Sequence, residues 1–255
     1  MTSTFRTALA TLIATVLMIA TPARAQTREP ATPANTPIPS FQRLFTDLPA
    51  DVRRLPTTGN AVWLGATGIL ALSVHPKDST ITQHAFGSLG LETALDGGAS
   101  IGGGLVQGSA ALGTYIVGRL THRPAVAILG ADLVRAQIIN TGLTQGVKLS
   151  VNRTRPDGAP FSFPSGHSSS AFATATVLQR HFGWKAGIPA YAMATYVASS
   201  RLTENKHFLS DVIFGAGIGI VSGRAVTVGR ASERFVIAPT LVHGGVGINV
   251  TRLAR

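Results

Sequence analysis

The chemistry of this 255-residue chain is concentrated between residues 148 and 211, in three short motifs. They read KLSVNRTRP at residues 148–156, PSGH at residues 164–167 and SRLTENKHFLSD at residues 200–211. Only 13% of all residues are charged, yet these motifs place several cations, two histidines and a carboxylate close together in the sequence. Such a set is suited to binding a tetrahedral oxyanion and attacking the atom at its centre.

The PSGH motif opens an apolar segment that we predict to be a helix from Ser165 to about His181. The first N–H groups of a helix are unpaired and bind anions. Gly166 allows close approach of the backbone, and the Ser165 hydroxyl can donate a further hydrogen bond. We expect His167 at the mouth of this site, where it can protonate a leaving oxygen. The alternative is an ordinary helix cap with an incidental histidine.

The third motif carries His207 and Asp211, which share one face if the segment is helical. We predict a helix from about Lys206 to Val228. A carboxylate on one ring nitrogen fixes the imidazole tautomer and leaves the other nitrogen as a nucleophile. The alternative is a surface pair, but the surrounding apolar residues favour burial. The residues alone do not decide which histidine attacks.

Positive charge for an oxyanion comes from Lys148, Arg155 and Arg201. Arginine binds phosphate in a bidentate manner, and lysine acts as a point charge. Arg153 falls outside the motif pattern, and we expect it to be a solvated loop cation. No metal is expected, because the remaining histidines show no ligand spacing with carboxylates. These are His75, His84, His122, His181 and His243.

The overall charge of +11 and the pI near 11.4 favour anionic partners, namely a phosphorylated lipid or small molecule or a membrane surface. Nucleic acid is not expected as a partner, because no basic run with interleaved aromatic residues is present. The chain has no cysteine, so it must be stabilised by packing and not by disulfides.

The N-terminus has the features of an export signal: Arg6, an apolar segment and the small-residue site Ala23-Arg24-Ala25. We predict a signal peptide at residues 1–25, with an uncleaved membrane anchor as the alternative. Residues 26–56 form a leader rich in Pro and Thr, with a short amphipathic piece around Leu44. A helical domain follows at residues 57–230, and residues 231–255 alternate like a β-hairpin.

The domain is predicted to be all-α, a bundle of about six core helices. A first apolar helix runs from Asn60 to Val74, and a polar loop follows through His84. Glycine clusters at residues 97–98 and 102–104 are expected to break the long apolar run or allow close contacts, and not to bind phosphate. Gly215, Gly219 and Gly223 recur every four residues and mark a small face for tight helix packing.

The apolar runs are near or below the roughly 20 residues that a spanning helix needs. We therefore expect an exported periplasmic protein, soluble or membrane-associated. A multi-pass inner-membrane protein is the alternative, supported by basic short connectors such as residues 119–123.

Taken together, the motifs resemble the type 2 phosphatidic acid phosphatase (PAP2) superfamily, which includes bacterial acid phosphatases and vanadium haloperoxidases. The family pattern Lys-x6-Arg-Pro, Pro-Ser-Gly-His and Ser-Arg-x5-His-x3-Asp is matched without departure, and the resemblance extends over about residues 60–228. It implies an all-helical bundle with His207 as nucleophile, Asp211 as its orienting group and His167 as acid and base. The residues implied around the phosphate are Lys148, Arg155, Ser165, Gly166 and Arg201.

The function favoured by this resemblance is a metal-independent phosphatase acting outside the cytoplasm, on a lipid or isoprenoid phosphate before a soluble ester. The alternatives are a haloperoxidase, which alone would require vanadate as a cofactor, and a non-enzymatic envelope protein. Phe161, Phe163 and Phe208 border the motifs. They can contact an apolar chain, although core packing is the expected role for at least two of them.

Overall fold

The computed structural model describes residues 37–227, 234–242 and 245–253, so the predicted signal peptide lies outside the described residues. The described part is a helical bundle, as predicted. Its helices are α1 (Arg43–Thr46), α2 (Leu48–Val52), α3 (Thr58–Val74), α4 (Asp78–Phe86), α5 (Leu89–Leu95), α6 (Gly98–Gly102), α7 (Gly104–Leu120), α8 (Pro124–Val151), α9 (Gly166–Phe182), α10 (Trp184–Thr203) and α11 (Leu209–Val226). A 3-10 turn, His75–Lys77, joins α3 to α4.

Six of the helices in the described ranges have at least 17 residues, which confirms the expected number of core helices. Their starts follow local sequence signals. Thr57 caps α3 by accepting a hydrogen bond from the Asn60 amide, Pro124 is in the first turn of α8, and Ser165 caps α9. The long apolar run breaks at Asp96–Gly97 and at Gly103, where the glycine clusters had predicted breaks.

The prediction of a polar loop through His84 is wrong, because this segment forms α4. Ile81 and Ala85 lie one turn apart and pack on the core shared by α9, α10 and α11. A helix of nine residues presents too few apolar positions for its periodicity to be recognised in the sequence.

The centre of the bundle is α9, which packs against α8, α10 and α11. On its outer side α8 packs against α7, and α11 packs against α3. Phe172, Val197 and Ile220 lie in one apolar core, and Leu133, Ile139 and Val177 belong to a second. This packing brings the end of α8, the start of α9, the end of α10 and the start of α11 to the same end of the bundle, where all three sequence motifs lie.

The predicted small face of α11 is confirmed by its contacts with α9. A Cβ atom added to Gly215 would lie 2.6 Å from the carbonyl oxygen of Ser165, and one on Gly219 would lie 2.2 Å from that of Ser169. At Gly223 the added atom would lie 2.7 Å from Cβ of Thr176. Larger residues would push α11 away from α9, and at Gly215 they would displace the PSGH turn itself.

The amphipathic piece of the predicted leader packs on the bundle. Leu44 is buried with Tyr115 and Ala131, and the Tyr115 hydroxyl donates to the carbonyl oxygen of Pro39 at 2.9 Å. Asp51 of α2 accepts a hydrogen bond of 2.7 Å from Nε of Arg135. The last part of the leader is therefore held to the domain by both apolar and charged contacts.

Near the C-terminus, β1 (Arg234–Val242) and β2 (Gly245–Leu253) form an antiparallel pair. The register runs from Arg234 opposite Leu253 to Val242 opposite Gly245. These strands occupy the segments whose alternation predicted a hairpin, whereas His243 and Gly244 of the expected turn lie outside the described residues.

Two described helices, α8 and α11, are long and apolar enough to cross a membrane by length and composition. Within the bundle, 61% and 89% of their apolar windows are buried, which is also typical of core helices. In contrast, the outer faces of α3 and α7 expose large apolar side chains. Ile69, Leu72, Leu105 and Leu120 are each more than two thirds exposed.

Candidate active site

The PSGH turn forms the floor of the candidate site. The buried Ser165 caps α9, and its own N–H donates to the carbonyl oxygen of Asp211 at 2.9 Å. This bond ties the start of α9 to the start of α11. Gly166 and His167 follow as the first two residues of α9, where helix geometry leaves N–H groups directed at an anion.

His207 does not lie on the helix that carries Asp211, contrary to the prediction that one helical face holds both residues. It precedes α11, and its N–H donates to the carbonyl oxygen of Arg201 at 3.2 Å. The helix starts later because Asp211 accepts a hydrogen bond of 2.8 Å from the N–H of Phe208, capping α11 at that point. The expected proximity is nevertheless present, since Nδ1 of His207 lies 3.7 Å from Oδ2 of Asp211.

This arrangement determines which ring nitrogen of His207 is available. Nδ1 faces the carboxylate, although 3.7 Å is longer than a hydrogen bond, so Nε2 is the nitrogen left for chemistry. Burial lowers the pKa of His207, and the nearby Asp211 carboxylate opposes that shift. The direction that we infer is a net lowering, which favours the neutral, nucleophilic imidazole.

The Asp211 carboxylate is buried and held on both oxygens. Oδ1 accepts a hydrogen bond of 2.8 Å from Arg153, and Oδ2 accepts one from the Ser162 hydroxyl in addition to that from the Phe208 N–H. Burial by itself raises the pKa of Asp211. The interaction with His207, then the hydrogen bonds from Ser162 and Phe208 and the Arg153 charge, more than offset burial and lower it. The carboxylate therefore stays ionised and fixed in orientation.

The expectation for Arg153 is wrong, because its guanidinium is not a solvated loop cation. It pairs with Asp211 at 2.8 Å and with Asp78 at 2.9 Å, and it stacks on the Phe208 ring at 4.1 Å from the centroid. Asp78 in turn accepts hydrogen bonds from the N–H and the hydroxyl of Ser210. The one sequence signal for Arg153 was its position two residues before Arg155, and nothing in the sequence indicated Asp78.

Lys148, Arg155 and Arg201 converge on the two histidines. Lys148 lies in the last turn of α8, and its Nζ donates a hydrogen bond of 2.5 Å to the carbonyl oxygen of Phe161. Burial, then the charge of Arg155, lowers the pKa of Lys148 to about 8, opposed by Asp211. The Nε atoms of Arg155 and Arg201 are buried and have no hydrogen-bond partner among the described residues. Buried donors in proteins are nearly always paired, so these two are available to an anion.

His167 lies half-buried inside this group of cations. Burial, followed by the charges of Arg201, His207, Arg155 and Lys148, lowers the pKa of His167 to about 4. The imidazole is therefore neutral near pH 7 in the free protein. An anion bound among the same cations would offset their charge and raise the His167 pKa.

The bordering phenylalanines mainly pack within the protein. Phe163 stacks on Phe214 with centroids 4.9 Å apart, and Phe208 supports Arg153. In the described ranges, no group of three His, Asp or Glu side chains forms a candidate metal site. The donor set is dominated by cations, and such a set attracts an oxyanion.

Comparison with known proteins agrees with this geometry. The family model described as the PAP2 superfamily matches residues 125–234. The chain is 40% identical over 86 residues to the lipid A 1-phosphatase of Porphyromonas gingivalis, covering 32% of this chain and 19% of that protein. It is 25% identical over 122 residues to the lipid A 4'-phosphatase of Helicobacter pylori, covering 43% and 62%. Both matches span less than two thirds of the relative.

Among solved structures, LpxE of Aquifex aeolicus superposes with a TM-score of 0.48 at 24% identity, over 58% of this chain and 92% of that chain. The family match includes every residue of the three sequence motifs, and the fold brings those motifs together at one end of the bundle. In sequence, residues 125–234 are therefore similar to the PAP2 superfamily.

Proposed function

We propose that this protein is a metal-independent phosphatase that acts outside the cytoplasm on a phosphate monoester or diphosphate of a lipid, through a phospho-histidine intermediate on His207. The observation that carries this proposal is the pair of buried Nε atoms of Arg155 and Arg201. They have no hydrogen-bond partner among the described residues, and the two guanidinium charges act on His167 in the first turn of α9. Cations and helix N–H groups that are already in place stabilise the charge that spreads over the phosphoryl oxygens during transfer.

In the first step, Nε2 of His207 attacks phosphorus and the ester P–O bond breaks. The leaving oxygen takes the proton of His167, whose imidazole is protonated in the complex with the phosphate anion. Asp211 stabilises the positive charge that develops on the phosphorylated imidazole. Arg153 and Ser162 hold Asp211 in the required orientation.

In the second step, neutral His167 removes a proton from water, and the resulting hydroxide attacks phosphorus. The P–N bond to His207 breaks and inorganic phosphate forms. His167 holds the proton taken from water until the phosphate anion leaves, and its imidazole is neutral again in the free protein. The pKa of His167, lowered by burial and by the surrounding cations, keeps the imidazole neutral after the protonated leaving group has gone, so that it can accept a proton from water.

A lipid is the preferred substrate class for two reasons. The curated relatives are named lipid A phosphatases, although each is matched over only part of its length. The exposed apolar faces of α3 and α7 are suited to contact with a lipid surface, because soluble proteins rarely expose many large apolar side chains together.

The test is phosphate release by the purified full chain from p-nitrophenyl phosphate and from a detergent-dispersed lipid phosphate, in EDTA. We expect activity that vanadate inhibits and that falls by roughly 10³-fold or more in His207→Ala. Rapid quenching with a radiolabelled substrate should leave label on the wild-type protein and none on His207→Ala. His181→Ala is the matched control, since it removes another partly buried histidine that pairs with an aspartate.

Loss of activity in EDTA that zinc or magnesium restores would contradict the metal-independent mechanism. If His207→Ala retained as much label as the wild type, the nucleophile would be a residue other than His207. Absence of phosphate release combined with halide oxidation in vanadate would favour a haloperoxidase, and absence of both activities would favour a non-enzymatic role.

A further inference from the structure

An apolar groove runs along the outside of the bundle between α7 and α8, with α1 closing its far end. It has a volume of about 450 Å³, within the range of ligand-binding pockets. Gly104, Gly108 and Leu112 line one wall, and Ile138 and Thr141 line the other. Neither the sequence motifs nor the proposed mechanism uses these residues.

One end of the groove adjoins the candidate active site on the α7 side. Gly104 directly follows Gly103, and a Cβ atom added to Gly103 would lie 4.0 Å from Nε2 of His167. Gly102 is packed still more tightly, since its added Cβ would lie 2.1 Å from Val197 and 3.4 Å from Cβ of His167. The glycine cluster therefore keeps the backbone close to His167 where α7 begins.

The wall formed by α8 also begins close to the candidate active site. Thr141 lies about one helical turn before Thr144, whose hydroxyl is 3.0 Å from that of Ser169 in the first turn of α9. Cγ2 of Thr144 lies 3.9 Å from the position of a Cβ added to Gly166. Both walls thus begin near the PSGH turn, one beside His167 and the other beside Gly166 and Ser169.

We propose that this groove binds an apolar chain carried by the leaving group of the phosphate ester, a placement that rests on the proposed phosphatase function. The occupant is an acyl or prenyl chain, because the walls are mostly apolar and one end of the groove, at Gly104, follows the glycines that approach His167. Phe45 of α1 and Phe41, which precedes this helix, close the far end. The groove therefore sets a limit on the length of chain that gains binding energy.

The open glycines of α7 allow a direct test. A Cβ atom on Gly104, Gly108 or Gly113 would meet no heavy atom within 4 Å, so larger side chains fit at all three positions. Gly108→Leu and Gly104→Leu would fill the groove. Gly113→Leu is the matched control, on the same helix but not among the groove-lining residues. All three changes replace glycine by a better helix former.

The experiment measures kcat/KM for p-nitrophenyl phosphate and for detergent-dispersed lipid phosphates of increasing chain length. For the wild type, kcat/KM should rise with chain length and then level off. In Gly108→Leu the ratio of long-chain to aryl kcat/KM should fall by roughly tenfold or more, and Gly113→Leu should keep the wild-type ratio. Gly104→Leu should behave like Gly108→Leu.

Identical chain-length series in wild type, Gly104→Leu and Gly108→Leu would overturn the groove proposal while leaving the phosphatase standing. A fall of the same size in Gly113→Leu would also overturn it, because the effect would then not belong to the groove. Aryl activity without any lipid activity would overturn both the groove and the lipid substrate. Absence of activity on every phosphate would overturn the phosphatase function itself.

Discussion

Two networks of one histidine, two aspartates and one arginine lie near opposite ends of α9, and they serve different purposes. Near its start, His207 faces Asp211, which is held by Arg153 and through it by Asp78. Near its end, His181 contacts Asp132 at 2.8 Å, and Asp132 pairs with Arg135 at 2.7 Å. Arg135 also pairs with Asp51 at 2.7 Å.

The environment of each network makes the difference. Lys148, Arg155 and Arg201 surround the first network, which also lies beside the N-terminal end of a helix. The second network lies near the C-terminal end of α9, where the helix dipole disfavours anions. Its arginine, Arg135, already forms ion pairs with the carboxylates of Asp51 in α2 and Asp132 in α8. The same residue types thus form a candidate reaction centre at the start of α9 and a stabilising ion-pair network near its end.

The largest expected difference comes from the two aspartates. Asp211→Asn should lower kcat by roughly 10²- to 10⁴-fold, because His207 loses the charge that orients it and stabilises its cation. Asp132→Asn should leave kcat within about twofold and lower the free energy of unfolding by about 1 to 3 kcal/mol. Steady-state kinetics and thermal unfolding should be measured for both variants. A large loss of kcat in Asp132→Asn would contradict a purely structural role for the second network.

Substitutions of the two arginines should differ in the same way, one lowering kcat and the other lowering stability. Arg153→Met should lower kcat by roughly 10- to 100-fold at nearly constant KM, because Asp211 loses a positioning partner. Arg135→Met should mainly reduce stability, by about 3 to 5 kcal/mol, since it removes from two buried carboxylates the cation that they share. Arg153→Lys should recover part of the lost kcat. Adding Arg153→Met to Asp211→Asn should cost little further activity if Arg153 acts through Asp211.

The glycines of α11 provide a smaller contrast along the same helix contact. Gly215→Ala places a methyl group against the Ser165 carbonyl, so we expect a loss of kcat of about tenfold with modest destabilisation. Gly223→Ala places a methyl group against Thr176, far from the candidate site along α11. It should lower only the free energy of unfolding, by about 1 to 3 kcal/mol. Kinetics beside denaturant unfolding will distinguish these outcomes, and equal kcat for both variants would contradict the role of Gly215.

The smallest expected effect is a change in protonation. Burial and the charge of Arg201 lower the pKa of His167 to about 4, so the free protein holds it neutral above that pH. Vanadate brings negative charge and should raise the His167 pKa, extending the protonated form to higher pH. NMR titration of the His167 imidazole, with and without vanadate, checks this prediction. No upward change for His167 would contradict its role as acid.

Several features were predictable because they depend on neighbours in the sequence. Pro124, Ser165 and the glycine clusters mark helix ends through local backbone geometry, and the structure places the ends close to them. The four-residue glycine spacing on α11 predicted its packing face. Helix boundaries were less accurate where a side chain caps the backbone, as at Asp211, because that bond shifts the start of α11 beyond His207.

Other features were not predictable, because they join residues distant in the chain. Arg153 contacts Asp78 across 75 positions, and α4 carries no motif that marks Asp78 as a partner. The role of Arg153 therefore depends on how α4 packs on α11. The glycines before α7 gave a sequence signal for a helix break, but their contact with His167 required the folded bundle.

The sequence by itself determined the helical class, the three motifs and the residue types of an oxyanion site. These follow from apolar periodicity and short spacings, which act over a few residues. The tertiary structure decided which arginine holds Asp211, which His–Asp pair is structural, and where the groove meets His167. Those depend on long-range packing of helices, in which contacts are set by shape and burial and not by distance along the chain.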